Sequence, residues 1–593
     1  MQTAQTYLEV VSKRGERQLE LCRVYRNLKN RELFLMAYGK LYANGGAMTP
    51  GVDPKDIVDA MSLKKIDEII DLLDKGMYQW KPTRRIYIPK ENGKQRPISI
   101  AGWKDKLLQE VIRMILSAYY EPQFSTASHG FRPGRGCHTA LQKVLTTWHG
   151  VKWFIEGDIR ACFDELEKER LLKIIGRRIK DDRLMKLLRD MLNAGYLDDW
   201  VYHPTYSGVP QGGVLSPLLT NIYLNELDQY VAQTLIPEYT KGETRQVNPE
   251  YGRLKYERYE AKQRGDVETY RMTKRRMNQI PSGIPNDPEY RRLRYIRYAD
   301  DTLLGFIGPR EEAEEIKHKL AAFLTSIGLT LSEEKTLITH AREQRARFLG
   351  YDISVAQVDA QHTNGHRAIN GKPRLQVPAE VVTKWRKRVT DHNKPQHRKQ
   401  LLDRSDYDIV MTYATEFNGL VNYYVLAYDV SQRLHPLKYL YMTSLVNTLA
   451  RKHNKPATWV YRRYKRKNRN ECTAIVVEVP REGKKPLVAK FGHKPIRFDK
   501  KAVISDQPVT IWANRSQLIQ RLLANQCELC GSDKNIQIHH IHKLKDLRQR
   551  YQGRPEPPPW VVKHIQLNRK TIVVCADCHQ RIHAGTYDGR KLK

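Results

Sequence analysis

Apolar and polar residues alternate along Arg84-Arg85-Ile86-Tyr87-Ile88-Pro89-Lys90, which predicts a strand. A turn follows at Glu91-Asn92-Gly93, then a second strand ending Arg96-Pro97-Ile98-Ser99-Ile100. Leu107, Leu108, Val111, Ile112, Ile115 and Leu116 return at helical spacing, so 104–119 reads as a helix with one buried face. The pattern over 1–80 is helical and closes on the turn-rich loop Asn44–Gly51. Further strands are expected at Trp153–Asp158 and Tyr295–Phe306, separated by helices and loops. Strands contributed from distant stretches and mixed with helices indicate an α+β chain.

Two segments break the pattern by charge. Residues 241–294 hold 14 Lys/Arg against 8 Asp/Glu, are rich in Tyr and poor in aliphatics, and read as an exposed, largely helical insertion. Residues 451–470 hold nine Lys/Arg and no acid, with aromatics interleaved. Arg451, Lys452, Trp459, Tyr461, Arg462, Arg463, Lys465 and Arg466 therefore suit phosphate contact combined with base stacking.

Composition widens this to the whole chain. The 593 residues suggest about three to five domains, and 40% hydrophobic content is enough for real cores. Lys plus Arg total 102 against 66 Asp plus Glu, a formal charge of +36, for which a nucleic-acid backbone is the natural counter-ion. No apolar run reaches the roughly 18 residues needed to cross a bilayer. The N-terminus lacks the charged and apolar regions of a signal peptide, so secreted and membrane roles are not expected. Cys22, Cys137, Cys162 and Cys472 stand singly, whereas Cys527-x-x-Cys530 and Cys575-x-x-Cys578 are paired at metal spacing. That usage fits a reducing cell interior, with one metal-stapled module near the C-terminus.

The chemistry is carried by acids. Tyr298-Ala299-Asp300-Asp301 has apolar and aromatic residues on both sides, so a hairpin would lift two carboxylates to its tip. Asp158 ends the mostly apolar strand that starts at Trp153, where an unpaired carboxylate would cost several kcal/mol. A hard divalent cation resolves both situations. Three carboxylates can hold two Mg²⁺, one activating a hydroxyl and one bracing a leaving pyrophosphate.

With those residues in place the chain resembles a reverse transcriptase, and within that group the proteins encoded by mobile group II introns. The family's motifs occur in order: Arg96–Ile100, Ser128–Arg135, the Asp158 strand, Gly208–Pro217, Tyr298–Asp301, Gly328–Thr336 and Phe348–Tyr351. The resemblance implies a right-hand polymerase of fingers and palm, with a helical thumb called domain X, a basic DNA-binding segment and a ββα-metal nuclease module. It divides the chain into 1–80 (N-terminal extension and start of the fingers), 81–365 (fingers and palm), 366–455 (thumb), 456–520 (DNA-binding region) and 521–593 (nuclease). It makes Asp158 and Asp300 the metal-ligating aspartates, with Asp301 the third carboxylate of the motif. Phe163 would lie beneath the incoming sugar, where a ring leaves no room for a 2′-hydroxyl. Gln211 would lie near the incoming nucleotide, and Arg84, Lys90 and Arg96 fit cations that clamp its triphosphate.

The four paired cysteines can supply thiolates to one structural Zn²⁺. Between the pairs stand His539 and His540, and after the second stand His579 and His583 at i, i+4 spacing on one helix face. This pattern resembles the HNH nuclease motif. By that resemblance His539, His579 and His583 would hold a divalent ion and His540 would be the general base. The nearest counterpart of the motif's asparagine is Asn568, set off from the second cysteine pair by Lys570 and Thr571 among others.

The expected function is a ribonucleoprotein enzyme. It would bind its group II intron RNA and promote splicing, nick double-stranded target DNA, and extend the new 3′ end with dNTPs on the intron template. The expected setting is the bacterial cytoplasm, at the nucleoid, or an organelle, without a membrane partner; the oligomeric state is left open. The competing expectations are a splicing factor with a vestigial polymerase, another bacterial reverse transcriptase of retron or CRISPR-associated type, and a nuclease for which the polymerase fold is only a platform.

Overall fold

The strand Trp153–Asp158 lies inside a four-stranded antiparallel sheet of order 338–340, 153–158, 301–307, 292–298. This is a computed structural model of the chain, and it describes residues 3–587 except 45, 90–92, 94, 359–369, 468–472, 482–483, 503, 505–516, 543, 551–556 and 567–568. The ladder runs from Trp153↔Phe306 to Asp158↔Asp301, and the adjoining hairpin from Arg292↔Ile307 to Tyr298↔Asp301. Period-two alternation gives each face its own core. Ile155, Leu293, Tyr295, Leu304 and Phe306 face one, shared with the N-terminal helices. Phe154, Ile296 and Leu303 face the other, shared with the helices Asp406–Tyr423 and Val430–His453.

The expected hairpin forms from Thr83–Pro89 and Gln95–Ile100, paired from Arg84↔Ile100 to Pro89↔Gln95. It is extended by Tyr196–Asp198 in parallel and by Val201–His203. The helix expected at 104–119 spans Trp103–Tyr120, but it is buried on almost every face rather than one. The helices Ala4–Glu16, Arg31–Leu41 and Ser216–Tyr230 surround it. Its polar residues are satisfied inside: Glu110 accepts from Arg113 Nε at 2.6 Å, and Gln109 Oε1 accepts from the Val214 amide at 3.1 Å. The 241–294 insertion is built on the helices Pro249–Gln263 and Val267–Gln279, few of whose residues are buried.

Near the C-terminus, Ile536–His540 and Thr571–Cys575 pair antiparallel and lead into the helix Ala576–Ala584. This ββα unit does not stand apart. Its strand 536–540 is bridged to the N-terminal segment, with the Ala60 amide donating to the Ile538 carbonyl at 3.1 Å and the Ile538 amide to the Met61 carbonyl at 2.9 Å. Among the described residues no helix is long and apolar enough to cross a membrane.

Candidate active sites

Asp158 and Asp301 are cross-strand partners, and Asp300 occupies the turn beside them with Ala299 at φ +55°. Burial, and then the charges of Asp300 and Asp158, push the Asp301 carboxyl up to about 7. Asp300 is also raised, chiefly by burial, while Lys335 and Arg96 pull it down. Carboxylates that raise one another in this way form a hard-oxygen donor set in need of positive charge, which fits divalent cations. One cation of the chain already answers that need: Lys335 Nζ lies 2.7 Å from Asp158 Oδ2. Lys335 falls within the Gly328–Thr336 motif, which was legible in the sequence, but its partner was not.

The turn is fixed from below by a fully buried ion pair. Arg297 Nη2 lies 2.6 Å from Asp228 Oδ2, and both side chains are 0% exposed. The same guanidinium donates to the Ala299 carbonyl at 2.7 Å, to Asn221 Oδ1 at 3.1 Å and to Ser128 Oγ at 3.0 Å. Asn221 in turn donates to the Gly130 carbonyl at 2.9 Å. Gly130 packs so closely that a Cβ there would meet the Ala299 amide nitrogen at 2.4 Å, so only glycine fits. The Ser128–Arg135 motif is thus a support for the acidic turn.

Of the residues assigned to the nucleotide, Phe163 lies in the short helix Cys162–Glu165 just beyond Asp158, half-buried against the core. The Val209 amide donates to its carbonyl at 2.8 Å, and Gln211 Nε2 donates to Asp164 Oδ2 at 2.7 Å. The 208–212 loop and Phe163 are therefore brought together. Arg96 is exposed on the hairpin and within electrostatic reach of Asp300, whereas Arg84 Nη2 donates to the Pro50 carbonyl at 3.0 Å. Lys90 lies outside the described residues.

In the basic stretch, the helix Ala457–Tyr464 keeps Arg462 and Arg463 exposed, as are Arg451, Lys465 and Arg466. Lys452 is committed to Asp406 at 2.5 Å. Trp459 and Tyr461 are half-buried against the core, with the Arg463 guanidinium 5.4 Å above the Trp459 ring and the Lys465 ammonium 5.7 Å above that of Tyr461. The surface offered here is mainly cationic.

In the C-terminal unit Cys527, Cys530, Cys575 and Cys578 converge with their sulfurs within 4.8 Å of one another. The amides of Cys530 and Cys578 face the sulfurs of Cys527 and Cys575, each at 3.5 Å. Burial alone would raise the Cys527 thiol, but backbone donors bring it down to about 7. Four such sulfurs fit a closed tetrahedral zinc site. Chelation should unfold this unit while the polymerase remains folded, because structural Zn²⁺ supplies roughly 10–16 kcal/mol in small modules. Limited proteolysis read against primer extension checks that outcome.

A second cluster unites His539, His579 and His583 with Asp59, again within 4.8 Å. His579 Nδ1 faces Gln537 Oε1 at 2.8 Å, which turns its Nε2 inward. Burial lowers His539 to about 3 and His540 to about 4, so both rings are neutral at pH 7. The donors fit a divalent transition metal. Sequence reasoning missed Asp59, and no local signal marks it. Asn568 lies outside the described residues.

Three family models match separate parts of the chain. The model for "Reverse transcriptase (RNA-dependent DNA polymerase)" matches residues 88–248 and 271–353, that for "Type II intron maturase" 372–474, and that for "AI2M/AI1M-like, HNH endonuclease" 527–579. The group II intron-encoded protein LtrA of Lactococcus lactis subsp. cremoris is 37% identical over 98% of this chain and 99% of its own. An uncharacterized 91 kDa protein in a cob intron of Schizosaccharomyces pombe is 33% identical over 94% of this chain and 69% of its own. The putative COX1/OXI3 intron 1 protein of Saccharomyces cerevisiae is 31% identical over the same shares.

Proposed function

The chain belongs to the group II intron-encoded proteins that join a reverse transcriptase, an intron maturase and an HNH endonuclease, and on that premise we propose how its residues divide the work. The observation that carries the polymerase reading is Asp158 facing Asp301 across the ladder with Asp300 in the adjoining turn. Two Mg²⁺ bound by these acids would supply an activated primer hydroxyl and a stabilised pyrophosphate leaving group. The four-stranded sheet is then the palm, the 83–100 hairpin the fingers and residues 366–455 the thumb. Arg96, with Arg84 and Lys90, meets the triphosphate of a dNTP, and Gln211 borders it.

Phe163 excludes the 2′-hydroxyl. Phe163→Ala should lower discrimination against ribonucleotides roughly 10- to 100-fold. Competition between dTTP and UTP in primer extension reads this directly.

Intron RNA is held by the thumb and target DNA by the basic region that follows it, and neutralised phosphates give a binding that weakens steeply with salt. His540 accepts the proton of the attacking water at a target-DNA phosphate. His539, His579 and His583 would hold a divalent ion supplying Lewis-acid stabilisation, and the four cysteines would hold structural Zn²⁺. The nick leaves the 3′ end that the polymerase extends on the intron template. His540→Ala should remove target nicking and leave extension of oligo(dT) on poly(rA) intact. Persistent nicking would refute the assignment.

A further inference from the structure

The segment holding Asp59 belongs to the N-terminal part of the chain, yet it is built into the nuclease unit. Val58 and Met61 are fully buried, and Met61 bridges Ile538, on the strand that carries His539 and His540. Asp59 itself is 7% exposed. Its Oδ2 lies 2.7 Å from His583 Nε2 and 3.2 Å from His579 Nε2, and its Oδ1 lies 3.8 Å from His539 Nδ1. The two Nε2 atoms are 3.1 Å apart. Tetrahedral coordination with bonds of about 2.0–2.2 Å sets ligand atoms about 3.3–3.6 Å apart, close to these separations. His539 is 4% exposed, and neither of its ring nitrogens has a hydrogen-bond partner, a state that a metal ion would relieve.

The N-terminal part of the chain also contacts the catalytic side. His540 is 5% exposed. Its amide donates to Asp59 Oδ1 at 2.7 Å, and its Nε2 lies 2.9 Å from the Tyr38 hydroxyl. With Nε2 held by Tyr38, only the other ring nitrogen is left to meet a water. Hydrolytic metal sites keep one coordination position open, whereas three histidines and a carboxylate fill a tetrahedron.

We propose that Asp59 is the fourth ligand of the nuclease metal, donated by the polymerase half of the chain, and that it fills the position a target phosphate must take. This rests on the reading of His539, His579 and His583 as the metal centre. A phosphodiester carries the same single negative charge as the carboxylate, so target DNA can replace Asp59 without changing the charge at the ion. Release of Asp59 also frees the His540 amide, which it holds at 2.7 Å. The nuclease is thereby held closed by the polymerase body until a target engages it.

The experiment uses the full chain, wild type against Asp59→Asn and His579→Ala. Binding of Co²⁺, which takes tetrahedral coordination, is measured by titration calorimetry, and nicking of supercoiled plasmid is measured without intron RNA at saturating Co²⁺. The polymerase aspartates and the four cysteines are common to all three proteins, so differences report the nuclease centre. Asparagine keeps the size of Asp59 and an acceptor for the His540 amide, and primer extension verifies the fold. Asp59→Asn should bind Co²⁺ at the nuclease centre about tenfold more weakly. It should also nick plasmid at least about tenfold faster than wild type, since the open state no longer has to be selected. Unchanged Co²⁺ affinity, or nicking that fails to rise, overturns the proposal. His579→Ala separates the two layers. If it removes the site while Asp59→Asn does not weaken it, the histidine centre stands and Asp59 is not a ligand. If it too changes nothing, the histidine centre falls together with the proposal.

Discussion

DNA synthesis by Asp300→Ala is expected to fall at least about a thousandfold, roughly 4 kcal/mol in barrier height, because one carboxylate of the cation cluster is gone. Intron RNA binding should be unchanged, since Asp300 sits in a two-residue turn and its loss leaves the flanking ladder paired. Extension of oligo(dT) on poly(rA) with dTTP, beside a filter-binding curve for intron RNA, measures both. Retained synthesis would move the chemistry away from this turn. Loss of RNA binding as well would indicate a folding defect.

The second large effect is expected at Arg297, a residue that touches no substrate. Arg297→Met leaves Asp228 as a buried, unpaired charge in a site that is 0% exposed, which should cost about 3–5 kcal/mol of stability. It also removes the donor to the Ala299 carbonyl, so the acidic turn loses its anchor. The double variant Arg297→Met/Asp228→Leu should recover part of the stability, because the buried charge is removed while the Tyr295 hydroxyl and the Ala299 carbonyl still lose their partners. It should not recover DNA synthesis. Urea midpoints for both variants, read with primer extension, distinguish a packing role from a role in positioning the turn. Recovery of synthesis along with stability would rule out the positioning role.

What could be read from the sequence was the chemistry confined to one element. The Asp158 strand, the 298–301 turn and the 84–100 hairpin announce themselves because alternation and turn residues act over a few positions. The cysteine and histidine spacings are equally local. The helix 103–120 was seen with one buried face and proved buried on nearly all of them, because the polar Glu110 and Gln109 find partners inside. Arg297 is one of three arginines in the strand Arg292–Tyr298, and nothing in the local pattern sets it apart. Its partner Asp228, 69 residues earlier, carried no mark. Asp59 was invisible for the same reason in stronger form, since 524 residues separate it from His583. Long-range pairing depends on how domains dock, and periodicity carries no information about that. Lys335 stands between these cases: its motif was recognised, but its contact with Asp158 appears only once the 328–336 segment is folded against the sheet.

The central claim is that Asp158, Asp300 and Asp301 together hold the divalent ions of nucleotidyl transfer. Its most direct test is anomalous scattering from Mn²⁺ in crystals of the protein with RNA template, DNA primer and a non-hydrolysable dNTP. Two peaks are expected at coordination distance, about 2.1 Å, from carboxylate oxygens of this cluster, with Lys335 displaced from Asp158. Bound nucleotide with no metal at these carboxylates, or metal held by other acids, would contradict it.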